Sequence, residues 1–332
     1  MSAAPSALER LAAHGADGFP HLLAARARTD VELDRLRTRF AAVERDPDVA
    51  VVLFGSWGRR ELTEHSDDDW LLLVDGPGRG EALRPDVEAV RALLGAGARK
   101  PGTQGAFGTV SASRDLVEHI GLEEDDNRNL TQRMLLMLES VAVVGADVHR
   151  ACWEQVLDRY LAEGRSDHRP PRFFLNDVMR YWRTIAVDFA GKHRDDERKW
   201  GIRNAKLRTS RKMLFAGGLV PILRCHALRG ADVRPFLAAQ LALPATDRVA
   251  DAFLSADQLD AGVRCLGAYD RWIGILGDVA MREELAGLDR ASAPESATFV
   301  EVRRLAAEFQ NGLLALLFET SLAPAVREYA IF

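Results

Sequence analysis

The sequence predicts an α+β fold: a small mixed β-sheet domain followed by an all-α helical bundle. Three observations lead there. Up to about residue 148, short apolar runs bounded by turn residues alternate with helical spacing. Beyond that point the strand signals fade and helical spacing dominates. The chain has 332 residues, 47% hydrophobic and 28% charged, which is ordinary globular composition with enough apolar material for two cores. The expected domains are therefore 1–148, with a tail over about 1–20, and 149–332.

Each element has its own signal. The opening MSAAPSALERLAAHGADGF lacks the charged start and apolar core of a signal peptide and reads as a short helix or tail. Residues 31–45, VELDRLRTRFAAVER, have the spacing of an amphipathic helix. Residues 49–54, VAVVLF, are a β-branched run ending at Gly55, which suits a buried strand. Residues 69–74, DWLLLV, form a second strand, closed by the turn cluster Asp75-Gly76-Pro77-Gly78. A helix follows over 81–95, a third strand over 105–112 (GAFGTVSA), and a largely buried helix over 127–143. The second half carries helical spacing over 151–163, 172–190, 196–216, 258–282 and 298–320. Pro170-Pro171 precede one helix, and Gly217-Gly218 with Pro221 mark the end of another.

Several classes are excluded. A formal net charge of −5 rules out a protein-wide nucleic-acid surface, and no DNA partner is expected. No run of 18 uncharged apolar residues is present, so no membrane partner is expected. Cys152, Cys225 and Cys265 are few, odd in number and without ligand spacing, which reads as buried thiols in a reducing, cytoplasmic setting.

The chemistry concentrates in residues 54–70, FGSWGRRELTEHSDDDW. Along an extended chain, Asp67 and Asp69 point to one side and Asp68 to the other. Two like charges held close repel, and a divalent cation between them removes the penalty. Mg2+ is held by one or two carboxylates together with substrate phosphates. Upstream, Gly55 lets a ligand approach the backbone, and the Ser56 hydroxyl with nearby amides suits phosphate oxygens. Arg59 and Arg60 supply guanidinium forks that match phosphate, although Glu61 or Glu64 offers either one an ion pair. His65 reads as a loop histidine, and Trp70 as a core residue rather than a base platform. In the second half, RKWGIRNAKLRTSRK (198–212) places Lys199, Arg203, Lys206 and Ser210 on one helical stripe. Arg203 and Lys206 are the candidates there for phosphate or acceptor contact. The preceding helix puts Asn176, Arg180 and Arg183 on one stripe, with an internal salt-bridge network as the alternative role.

Gly55-Ser56-Trp57-Gly58-Arg59-Arg60-Glu61 followed by Ser66-Asp67-Asp68-Asp69 resembles the signature of the DNA polymerase β-like nucleotidyltransferases. The nearest likeness is to bacterial signal-protein uridylyltransferases and the nucleotidyltransferase-like domains found beside CBS modules. The resemblance covers residues 50–74 firmly and 150–220 loosely. It implies a nucleotidyltransferase catalytic domain whose helical partner lines the cleft. Mg2+ or Mn2+ would be held by Asp67 and Asp69, the nucleoside triphosphate (ATP among them) is the substrate, and Gly55 and Ser56 hold its β- and γ-phosphates. The acceptor is a protein side chain or small metabolite, with RNA as the alternative. A third carboxylate on a later strand completes such sites. The strand GAFGTVSA has no acid, so Asp115, just beyond it, is the candidate. A nucleotide-binding sensor that lacks the third acid, and a defence-type transferase acting on RNA, are the other readings.

Overall fold

A computed structural model describes residues 4–42, 46–76, 83–95, 106–162, 166–192 and 199–330. The chain divides into two compact units, residues 26–165 and residues 1–25 with 166–332. The class is as expected: a small mixed sheet with helices, in a chain that is mostly helical. The division differs from the expected 1–148 and 149–332, because the N-terminal residues belong with the helical unit.

In the sheet unit, α2 (Pro20–Ala41) leads to β1 (Val49–Leu53) and β2 (Trp70–Val74). After α3 (Arg84–Leu94) come β3 (Thr109–Ala112), α4 (Ser113–Glu118), α5 (Asn127–Glu139), β4 (Val141–Val144) and α6 (Ala146–Leu161). The strand order is β3-β2-β1-β4. β1 runs antiparallel to both β2 and β4, and β2 runs parallel to β3. Both central strands are buried along their whole length, as their unbroken apolar sequences require. On one face, Val49, Val51, Leu53, Trp70, Leu72 and Val74 pack with Leu33, Leu36 and Phe40 of α2. On the unit's other elements, α5 and α6 are joined by a buried polar network. Arg133 donates to both carboxylate oxygens of Asp125 at 2.8 and 2.9 Å and to the Tyr160 hydroxyl at 2.6 Å.

The fourth strand was hidden inside the helix expected over 127–143. The Ser140 hydroxyl donates to the Leu136 carbonyl at 2.6 Å, Ser140 takes extended dihedrals, and the β-branched Val141, Val143 and Val144 continue as a strand.

The helical unit contains α1 (Ala7–Ala12), the start of α2, and α7 (Arg172–Lys192), α8 (Trp200–Arg208), α9 (Ser210–Arg224), α10 (Gly230–Leu241), α11 (Ala245–Ser255), α12 (Leu259–Gly277), α13 (Val279–Gly287) and α14 (Ala297–Phe318). The helix expected over 196–216 is two helices, broken at Thr209; residues 193–198 lie outside the described residues. The expected stop at Gly217-Gly218-Pro221 is instead the interior of α9. Pro221 has no N–H for the Gly217 carbonyl, and buried Arg248 donates to that carbonyl at 3.2 Å. Arg248 also donates to the Leu241 and Leu243 carbonyls, so one guanidinium serves three backbone acceptors. Among the described residues, no helix is long and apolar enough to cross a membrane.

Candidate functional site

The polar residues of the expected site gather where β1 ends and β2 begins. The Phe54 N–H donates to the Asp69 carbonyl at 2.9 Å, which closes the β1–β2 pair one step beyond its last rung. Gly55 then turns out of the strand with φ 67°, a conformation that side chains disfavour. The segment folds into tight turns. Arg59 N–H donates to the Gly55 carbonyl (3.0 Å), Arg60 to Trp57 (3.2 Å) and Glu61 to Ser56 (2.8 Å). Among the described residues, the N–H groups of Gly55, Ser56 and Gly58 donate to no group of the fold. These three amides, with the half-buried Ser56 hydroxyl, are donors on a single short turn.

The three aspartates part company at the mouth of β2. Asp68 turns toward the α2 face, where it accepts from Trp57 Nε1 at 2.9 Å. Burial pushes the Asp68 carboxyl up, the Trp57 hydrogen bond opposes this, and the neighbouring Asp69 and Asp67 add to it. Asp69 is half-buried and leans on the turn: its Oδ2 lies 3.1 Å from where a Cβ on Gly55 would sit. Glycine at 55 therefore answers both the dihedral and the carboxylate. Asp67 is exposed. Trp70 has no exposed surface and belongs to the core, and His65 lies in the connecting turn.

The turn is fastened from below. Arg59 is mostly buried and pairs with Glu61 at 2.8 Å and with Glu139 at the end of α5. A Cβ on Gly58 would fall on the Glu139 carbonyl. The Leu62 N–H donates to the buried Thr29 hydroxyl of α2 at 3.0 Å. Arg60 pairs with Asp30 at 3.2 Å, both half-exposed. Both arginines expected on phosphate thus have carboxylate partners, and Arg59 is enclosed between two. Sequence reasoning offered Glu61 only as an ion-pair partner and missed Glu139, which lies 80 residues from Arg59. Nearby, the Ser140 hydroxyl meets His149 Nε2 at 2.7 Å. Because that hydroxyl donates to Leu136, His149 must donate to it, and burial pushes the imidazole down to about 4.

Asp115 is a correction. β3 runs parallel to β2 with Leu71 opposite Thr109 and Val74 opposite Ala112. Asp69 precedes β2, whereas Asp115 follows β3, so the two stand at opposite ends of the sheet. Five residues of strand, roughly 16 Å, separate those ends. The segment expected to extend the strand turns into α4 instead, with Asp115 exposed. The aromatic residue just before β3, Phe107, is the one that packs on Phe54. Its ring lies 6.1 Å from that of Phe54, and the Gly108 N–H donates to the Trp70 carbonyl at 2.6 Å.

Arg203 and Lys206 lie on α8 in the helical unit, half-buried, each with interactions within the fold. The expected stripe is broken. Lys199 is the left-handed residue before α8, and Ser210 lies beyond the break at Thr209, buried and accepting from Trp272 Nε1 at 2.9 Å. Of the stripe on α7, Asn176 and Arg183 are exposed and Arg180 is half-buried. Among the described residues, no group of three His, Cys, Asp or Glu side chains is placed to hold a metal ion.

Compared with models of known protein families and with curated proteins, the chain matches none.

Proposed function

We propose that the chain is a metal-dependent nucleotidyltransferase of the DNA polymerase β-like kind. It would move a nucleoside monophosphate from a nucleoside triphosphate to an acceptor hydroxyl, with release of pyrophosphate. One observation carries this reading. At a single strand mouth, an amide-bearing turn stands against the Asp69 carboxylate, while the neighbouring Asp68 is tied away to Trp57. Phosphate needs the first and a divalent cation the second.

The donors suit Mg2+ or Mn2+: carboxylate oxygens, two from the protein, with triphosphate oxygens and water to complete the shell. When bound, the ion supplies charge neutralisation on the phosphates. Alternation along the chain puts Asp67 on the side of Asp69, and the packing of Asp69 against Gly55 fixes its direction. The Gly55, Ser56 and Gly58 amides and the Ser56 hydroxyl bind the phosphates. Arg59, held by Glu61 and Glu139, keeps that turn in place rather than touching the nucleotide. A protein side chain or small metabolite is the favoured acceptor.

A second reading rests on a specific observation. From Gly95 to Arg114 the chain contains no acid, and the residue that packs on Phe54 ahead of β3 is Phe107. A protein that binds the nucleotide as a signal needs no third carboxylate. Release of pyrophosphate from an NTP with Mg2+ separates enzyme from sensor.

The shared premise is tested by thermal shift with each NTP and Mg2+. The preferred nucleotide should raise the wild-type Tm by a few degrees at a hundredfold excess over Kd. Asp67→Asn and Asp69→Asn should abolish that rise while leaving the free protein's Tm nearly unchanged. A wild type stabilised by no triphosphate refutes both readings.

A further inference from the structure

We propose that Phe107 is the platform on which the nucleobase or ribose of the bound nucleotide rests. This rests on the nucleotide reading of the Gly55–Asp69 site and adds to it the group that recognises the organic half of the ligand. Three observations converge. First, the Phe107 ring packs on Phe54 at 6.1 Å with a 55° tilt. Phe54 is the residue that precedes Gly55 and bonds the Asp69 backbone, so Phe107 packs on the residue that leads into the phosphate turn. Second, Phe54 is fully buried whereas Phe107 retains exposed surface. Third, the ring is held in place: Gly108 takes φ 67° and its N–H donates to the Trp70 carbonyl, which anchors the start of β3 against the mouth of β2.

The chemistry is complementary to the rest of the site. The turn and the carboxylates offer only polar groups, which suit the triphosphate. A nucleotide also carries an apolar face, and a partly exposed aromatic residue gives it a surface to stack on. Stacking accepts any base, because every base has a π-face. Trp57, which donates to Asp68, and Trp70 are both enclosed in the core and are not accessible for this role. The site then reads as phosphate turn, cation clamp and aromatic shelf around the end of one sheet.

The test compares binding of the four NTPs, each with Mg2+, and of inorganic tripolyphosphate with Mg2+, to wild type, Phe107→Ala, Phe107→Leu and Phe107→Trp. Phe107→Leu keeps an apolar side chain on Phe54 and guards against a fold defect in the alanine variant. Phe107→Ala and Phe107→Leu should bind the preferred NTP about tenfold or more weakly, as loss of one stacked base predicts. Both should bind tripolyphosphate as well as wild type does, and Phe107→Trp should restore NTP affinity. If wild type binds an NTP and the leucine variant binds it equally well, the platform is refuted while the nucleotide site stands. If NTP and tripolyphosphate affinity fall together, the ring only supports the carboxylate and the platform is again refuted. If wild type binds no NTP, the nucleotide reading fails and this inference fails with it.

Discussion

His149 shows how one residue can make the stability of the sheet unit depend on pH. Its imidazole donates to the Ser140 hydroxyl at the corner between α5 and β4, and burial lowers its proton affinity to about 4. The unfolded value is about 6.5. The folded state therefore binds this proton less readily than the unfolded chain does. The neutral ring imposes no penalty above the unfolded value; as pH falls below about 6.5, stability is lost progressively until the folded value is passed. Linkage puts the loss at pH 5 at up to about 2 kcal/mol. Urea unfolding at pH 7 and pH 5 should show that loss in wild type and a flatter response in His149→Gln. Equal slopes in the two proteins would remove His149 from the account. The same corner carries Glu139, so acid-induced loosening here also reaches the partner of Arg59.

At the scale of elements, the 55–61 turn is held to the α5–β4 corner by close approach as well as by charge. Gly58 lies against the Glu139 backbone, where a methyl group has no room and no flexible neighbour to displace. Gly58→Ala should lower stability by several kcal/mol, read as a drop in the urea midpoint, and should weaken NTP binding in whatever fraction still folds. A variant of wild-type stability would show that the turn and the corner are not in contact. The sequence made part of this site legible and left part hidden. β1 and β2 could be read because each is an unbroken apolar run ended by turn residues, and Asp67 to Asp69 stood out because acids rarely open a buried strand. The direction of β3 could not be read, since four residues of strand do not say which end meets a neighbour; Asp115 was misplaced for that reason. The Arg59 clamp needed a partner 80 residues away. The interior of α9 looked like a helix end because the donor that satisfies Gly217 lies 31 residues along the chain, on α11. Local signals identified the groups proposed to do the chemistry and missed those that hold them in place.

At the scale of the whole molecule, the helical unit is built from both ends of the sequence. The Leu8 N–H of α1 donates to the Asp247 carboxylate at 3.0 Å, and the Leu22 N–H of α2 donates to the Asp270 carboxylate at 2.8 Å. Two buried acids from α11 and α12 thus satisfy the open amides at the starts of two N-terminal helices. Leu8, Leu11, Phe19 and Leu22 are each at most 2% exposed. Leu11 reaches Gly262 of α12 and Phe19 lies beside Gly267. Burying four such side chains is worth roughly 6–12 kcal/mol, at about 1.5–3 kcal/mol each, which is comparable to the net stability of an ordinary domain. Residues 166–332 expressed alone should therefore lack a cooperative thermal transition, and supplying residues 1–25 through a flexible linker should restore one. The expected boundary near residue 148 makes the opposite forecast, because it leaves the N-terminal segment with the sheet. If residues 166–332 melt cooperatively on their own, at the same temperature as the linked form, the N-terminal helices contribute nothing to that unit's stability.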